Sequence, residues 1–302
     1  MSAATRDLAT GVACVVTSAV AFGAMAVLAR IAFASGVDTP TLLALRFAIA
    51  SVVMLAIMLA RGQSVPRGST LGVLIGLGAL GYGGQAVTYF TALELAPAGL
   101  AALLLYLHPA LVAVLAAIFL HEQLSVTKLI ALATALAGTT LTVAPALGDP
   151  AIASAPRLLT GLAFAACSAA FYAVYIVVAA SIGRRAEALP MSMVVIASAA
   201  VVFVVAVSIR GPQWPQSAVG WIAVMSIALL STVLAITLYF AGLERIGPVR
   251  ASTLSTIEPL CAVVLAAVVL DETIAPVQLA GGALIVAAAV LIARARRLGP
   301  VA

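Results

Sequence analysis

Residues 89–124 read YFTALELAPAGLAALLLYLHPALVAVLAAIFLHEQL, and residues 239–274 read YFAGLERIGPVRASTLSTIEPLCAVVLAAVVLDETI. A constant offset of 150 aligns the two without a gap, bringing Tyr89 onto Tyr239, Phe90 onto Phe240, Leu93 onto Leu243, Glu94 onto Glu244, Pro109 onto Pro259, Leu115 onto Leu265, Leu120 onto Leu270 and Glu122 onto Glu272. The same offset carries Leu8 onto Leu158, Thr10 onto Thr160, Gly11 onto Gly161, Ser18 onto Ser168 and Pro40 onto Pro190. The chain is therefore one unit duplicated and fused, divided into residues 1–145, a linker at 146–156, and residues 157–302. A repeat this long is no solenoid unit, since those run to roughly 50 residues. Internal duplication of this size occurs in secondary transporters, whose working site lies between the halves.

The 302 residues are 65% hydrophobic and 8% charged, with a mean hydropathy of +1.25. Globular domains carry about 25% charged residues, so this chain lacks the polar surface of a water-soluble fold. Several apolar runs exceed the ~18 residues that span a bilayer. The net charge of +5 fits the lysine and arginine bias of cytoplasmic loops. No basic patch with interleaved aromatics is present, which argues against a nucleic-acid partner. Cys14, Cys167 and Cys261 lie inside apolar runs with no metal-ligand spacing, and read as small buried hydrophobes with no disulfide framework. Ala32-Phe33-Ala34 imitates a signal-peptidase site. The apolar run before it exceeds the roughly 7–15 residues of a signal peptide, and it matches the internal segment at 158–182, so it is expected to be an uncleaved first span.

Charge, proline and glycine punctuation predicts ten helices, at 9–33, 40–60, 69–93, 97–120, 124–145, 157–182, 190–209, 216–241, 248–270 and 275–294. With the N-terminus in the cytoplasm, Arg6, Arg61, Arg67, Lys128, Arg184, Arg185, Arg245, Arg294, Arg296 and Arg297 fall inside, and only Arg30, Arg157 and Arg210 fall outside. This asymmetry puts both termini in the cytoplasm and Trp214 and Trp221 at the outer interface. Five helices per half is an odd number, so the second half enters from the opposite face. The expected fold is an all-α integral membrane protein of ten transmembrane helices, in two inverted five-helix repeats around a central cavity.

Ten helices in two five-helix halves, with Glu258-Pro259 and Leu270-Asp271-Glu272 closing the second copy, resemble the drug/metabolite transporter superfamily. Within it the chain resembles the EamA-type carriers, and among those the bacterial amino-acid exporters. The resemblance implies proton-coupled or facilitated efflux of small metabolites across the bacterial inner membrane. In the first copy the Glu-Pro pair reads His108-Pro109, a departure that bears on whether the two halves contribute alike.

His108 and Glu258 each stand about ten residues into their helices, ~15 Å at 1.5 Å per residue and so close to the midplane. Each precedes a proline that removes a backbone hydrogen bond. Two roles are open to both: facing a cavity as substrate-binding or proton-coupling groups, or satisfying backbone freed by the proline. Arg46, whose counterpart is Ile196, is a third coupling candidate if it pairs with an acid instead of snorkelling; Arg250 is expected to snorkel. Tyr82, Gln85 and Tyr89 share one helical face. With Tyr106, Tyr172 and Tyr175 they suggest a wall offering both apolar surface and hydroxyls, or else ordinary helix packing. Ser231, Thr232, Thr253 and Thr256 are weaker candidates, because such residues routinely bond helices together. Glu122 and Glu272 close their helices and read as structural.

Gly76-Leu77-Gly78-Ala79-Leu80-Gly81 fits GxGxxG but has no preceding strand; its glycines, with Gly72 and Gly76 as GxxxG, read as sites of close helix approach. His121-Glu122 begins an HExxH that Ser125 ends. With no metal cluster, nucleophile elbow or nucleotide loop, neither an enzyme nor a cofactor is expected. The leading expectation is a carrier exporting small metabolites, amino acids foremost (aromatic and hydrophobic ones among them), by alternating access. Its partners are a small-molecule substrate, the lipid bilayer and, for coupling, protons; no oligomer is required. The alternatives are export of another metabolite or drug and, from a different class, an intramembrane enzyme.

Overall fold

A computed structural model describes residues 3–95, 104–144, 157–182, 187–270 and 274–294. The linker at 146–156, Asp271, Glu272 and the arginines at 184, 185, 296 and 297 lie outside the described residues. Among those described there is helix and turn, and no strand.

The first half comprises α1 (Ala3–Ala34), α2 (Thr39–Ala60), α3 (Ser69–Gly76) running through a π segment (Leu77–Tyr82) into α4 (Gly83–Leu95), then α5 (His108–Phe119) and α6 (Val126–Val143). The second comprises α7 (Leu158–Ile182), α8 (Ala188–Arg210), α9 (Ala218–Ala228) running through a π segment (Leu229–Leu234) into α10 (Ala235–Ile246), then α11 (Pro248–Leu254), α12 (Ile257–Leu270) and α13 (Pro276–Arg294). Polar caps set the starts. Asp38 accepts from the Thr41 amide at 3.2 Å ahead of α2, where Pro40 occupies the first turn. Ser125 and Ser217 accept from the Lys128 and Gly220 amides at 3.3 and 3.1 Å ahead of α6 and α9; each bond satisfies an amide the helix cannot.

Eight spans are long and apolar enough to cross a membrane; the described parts of the fourth and fifth, His108–Phe119 and Val126–Leu141, are shorter. Leu80, Leu159 and Ile209 are 72%, 81% and 81% exposed, as expected of side chains that meet lipid. The protein is an integral membrane protein of ten transmembrane helices in two repeats.

The halves pack with two-fold regularity. α1 lies against α10 and α12, and α7 against α4 and α5; α2 pairs with α8, and α6 with α13. The serines matched in sequence make the symmetry atomic. Ser18 Oγ donates to the Ala235 carbonyl at 2.7 Å, and Ser168 Oγ donates to the Gln85 carbonyl at 3.2 Å. Position 85 becomes 235 under the same offset that carries 18 to 168. Each half thus sends one hydroxyl from its first helix into the third helix of the other, the interhelical bond that an apolar solvent favours.

Several sequence expectations are corrected. The eighth span runs on to Ile246, past the expected end at 241, because Leu243 and Ile246 are buried, Ile246 beside Gly11 of α1. Gly72 and Gly76 meet nothing within 4 Å of an added Cβ, so the GxxxG pair makes no close crossing; Gly78 does, against the Val195 carbonyl. Cys167 is exposed, and Cys14 and Cys261 are only half-buried. Arg250 does not snorkel; it is 1% exposed.

Candidate functional site

The fourth helix of each half is broken, not merely kinked. Helix at Leu104 and Leu105 gives way to a turn at Tyr106-Leu107 and resumes as α5; α11 ends at Leu254, turns at Ser255-Thr256 and resumes as α12. Proline explains both breaks. Pro109 and Pro259 have no amide for the carbonyls four residues back, Leu105 and Ser255. The two halves re-satisfy those carbonyls differently. Leu105 O is taken by His108 Nδ1 at 3.0 Å, whereas Ser255 O accepts from the Glu258 backbone amide at 3.0 Å. The His108 side chain therefore does the backbone-satisfying work foreseen as one of its two roles. The Glu258 carboxylate is left for other partners, and the Tyr106 hydroxyl lies within hydrogen-bonding reach of it.

Around Glu258 the expected residues converge from four spans, and Tyr239 joins them from a fifth. Tyr82, Tyr89, Tyr106, Tyr172 and Arg46 all lie within electrostatic range of its carboxylate, as does Tyr239. The rings form a continuous strip. Tyr82 and Tyr175 lie 5.5 Å apart between centroids, Tyr175 and Tyr172 5.9 Å, Tyr172 and His108 4.6 Å, and His108 and Tyr106 6.2 Å. These spacings fall in the range of favourable aromatic pairs. His108 is 1% exposed, and its Nε2 has no hydrogen-bond partner among the described residues. With Nδ1 donating to Leu105 O, that atom is an unsatisfied acceptor at the edge of the strip. The third and sixth spans touch ring on ring at Tyr82 and Tyr175. Gln85 turns to the same neighbour, its Nε2 donating to Ser168 Oγ at 3.3 Å. Tyr89 stands farther along α4, paired with Phe90 at 5.9 Å.

Arg46 stays enclosed at 4% exposure. Its Nε donates to Thr232 Oγ1 at 2.7 Å and its Nη2 to the Tyr82 hydroxyl at 2.9 Å. Thr232 also donates to the Ile227 carbonyl at 2.9 Å. The other weak candidates bond elsewhere: Ser231 to Ala21 O at 2.6 Å, Thr253 to Val249 O at 2.7 Å and Thr256 to Thr253 O at 2.7 Å, which fits their reading as structural. Glu122 accepts from Lys128 Nζ at 2.8 Å, again structural.

Sequence reading passed over Phe47, Phe203 and Phe240, which extend the strip: Phe47 touches Tyr82, Phe203 touches Phe47, and Phe240 touches Tyr175. Phe240 also borders a small cleft near one end of the bundle, lined by Ala179, Ala180, Ala188, Met191, Leu243 and Glu244. At that end Gln63 donates to the Glu187 carboxylate. At the opposite end the Gln213 amide donates to Thr41 Oγ1 at 3.0 Å and the Gln216 amide to Ser35 O at 2.8 Å. Gln63 and Gln213 occupy the same position of the repeat, a match that was visible in the sequence.

The comparisons with known proteins bear on the fold and the family. A crystal structure titled only as that of a protein superposes with a TM-score of 0.82 at 24% identity, covering 94% of this chain and 96% of the other, which establishes the shared fold. No curated protein matches. The EamA-like transporter family matches residues 9–144 and again residues 159–294, the two copies offset by the same 150 positions as the repeat. Because those two matches take in nearly every transmembrane residue, the chain belongs to the EamA-like transporter family, whose members are membrane transporters of small molecules.

Proposed function

We propose that this protein is a secondary transporter of the bacterial inner membrane, with both termini in the cytoplasm, exporting small metabolites by alternating access, amino acids foremost. One observation carries the reading. Glu258, a carboxylate with no ion pair among the described residues, lies within hydrogen-bonding reach of Tyr106 and electrostatic range of tyrosines from both repeats, where the two broken helices meet. Inverted repeats with interrupted helices put their working site at that junction. The cost of enclosing a carboxylate within a membrane favours a functional role for it. On this reading Tyr82, Gln85, Tyr89, Tyr106, His108, Tyr172, Tyr175 and Glu258 form the substrate site, with Glu258 as the principal coupling group and His108 and Arg46 as lesser ones. The ring strip supplies apolar contact, and the hydroxyls and His108 Nε2 supply hydrogen-bonding capacity.

Counterflow tests this. Purified protein in liposomes preloaded with an unlabelled aromatic amino acid should accumulate the labelled one transiently above equilibrium. Formation of a new chemical product, or no counterflow with any amino acid, metabolite or drug tried, overturns the reading.

A further inference from the structure

Arg46 has an unusual set of partners. Its counterpart in the repeat is Ile196, so one half places a cation where the other places an alkyl group. The guanidinium offers five N–H donors. Two are used, by the hydroxyls of Thr232 and Tyr82, and no other acceptor among the described residues bonds it. No ion pair among the described residues includes Arg46; Glu258 is within electrostatic range but unpaired with it. A cation enclosed at 4% exposure with neutral partners only is costly.

The two partners occupy equivalent places. Position 82 plus the repeat offset of 150 is 232, and each residue sits inside the π segment of its half, Leu77–Tyr82 and Leu229–Leu234. Local π-helix recurs at functional sites. The Nε–Nη2 edge of a guanidinium is one on which a carboxylate seats with both oxygens. Here two neutral hydroxyl oxygens, one from each half, hold that edge.

We propose that Arg46 is the receptor for a carboxylate on the transported molecule, and that Tyr82 and Thr232 are the neutral groups this carboxylate displaces; the proposal rests on the carrier reading above. The guanidinium already lends its charge to the two hydroxyl bonds; a carboxylate adds the opposite charge and a two-point seat on the same edge, and that is what the exchange gains. It also releases a side chain that bonds the two π segments at once, which ties occupancy of the site to the freedom of the halves to move. The substrate class is a small carboxylate with an apolar body against the rings of Phe47, Tyr82 and Tyr175.

L-Phenylalanine and L-phenylalaninamide are matched probes, differing at the carboxylate alone. Thermal shift of the purified full chain in detergent reads binding to the folded state. The wild type should bind phenylalanine at least tenfold more tightly than the amide. In Arg46→Gln that preference should vanish while amide binding holds, and Arg46→Lys, which keeps the charge, should retain an intermediate preference. Equal shifts by both probes in the wild type, no shift by either, or an equal loss for both in Arg46→Gln overturns the proposal. If Arg46→Gln does not fold, Arg46→Lys decides: a preference left at the wild-type value counts against it. Counterflow in liposomes separates this from the carrier reading. Preferential phenylalanine binding without counterflow sinks the carrier alone, and counterflow that exchanges acid and amide equally sinks the carboxylate receptor alone.

Discussion

Glu258 and His108 occupy the same position of the repeat and do different work. His108 uses Nδ1 to close the backbone gap that Pro109 opens, while the Glu258 backbone amide closes the equivalent gap and leaves the carboxylate within reach of Tyr106 and electrostatic range of Arg46, Tyr82, Tyr89, Tyr172 and Tyr239. A carboxylate whose solvation differs between inward-open and outward-open states favours a different state in each protonation form, which is the condition for coupling. Glu258→Gln should therefore flatten the pH dependence of initial transport rate in proteoliposomes across pH ~5.5 to 8.5, with little loss of folded protein. A mutant profile that follows the wild type, or a wild type with no profile, points to facilitated diffusion. His108→Ala should act mainly on stability. It strips Leu105 O of its partner, a loss of about 1–3 kcal/mol for an unsatisfied buried group, read as a lowered unfolding temperature, with the pH profile flattened less than in Glu258→Gln. Both prolines were plain in the sequence. Which side chain repairs which carbonyl was not, because that depends on rotamers the packed neighbours select.

The first and third helices of the two halves are joined by the matched pair Ser18 to Ala235 O and Ser168 to Gln85 O. Symmetric bonds should contribute alike. Ser18→Ala and Ser168→Ala are each expected to cost about 0.6 kcal/mol, the average for such bonds within membranes, and the double mutant should show roughly the sum. Unfolding in detergent of the three variants measures this; a large loss confined to one serine breaks the symmetry argument. Gly242 is a harder limit. A Cβ there would meet the Val15 side chain and lie 2.8 Å from the Gly11 carbonyl, so Gly242→Val should force α10 away from α1 and reduce folded yield sharply, an overpacking cost of roughly 1–3 kcal/mol or more. The sequence marked Gly11 by its match to Gly161, but Gly242 stood unremarked in its run. Gly72 and Gly76 show the converse, since their spacing suggested a crossing that no neighbour occupies.

For the whole molecule, the arginine and lysine distribution puts the loop at 61–68 and both termini on one face, so a cysteine at position 64 should label from the cytoplasm only. Labelling there from outside intact cells reverses the orientation. The Gln63–Glu187 contact and the Gln213–Thr41 contact close opposite ends of the bundle at equivalent points of the repeat. If the ends open in turn, a disulfide between Gln63→Cys and Glu187→Cys, and equally one between Ser35→Cys and Gln216→Cys, should stop counterflow reversibly, with activity restored by reductant. Undiminished counterflow with either crosslink formed rules out opening at that end.

Membrane embedding, the number of spans and the two-fold relation of the halves were all determined by the sequence alone. Each rests on properties summed along the chain: apolar run length against bilayer thickness, the odd number of helices per half, and the offset of 150 that the family match reproduces. The composition of the candidate site was legible too, because deep tyrosines and carboxylates are conspicuous in an apolar chain. Only the tertiary structure decided how those groups are spent. Arg46 could snorkel or pair with an acid on sequence grounds; it does neither, because the halves meet so that Tyr82 and Thr232 reach it together. The third and sixth spans could have faced each other across open space; their rings touch. Both outcomes turn on where side chains from residues more than a hundred positions apart come to rest, and that is set by close packing between halves, which no local pattern records.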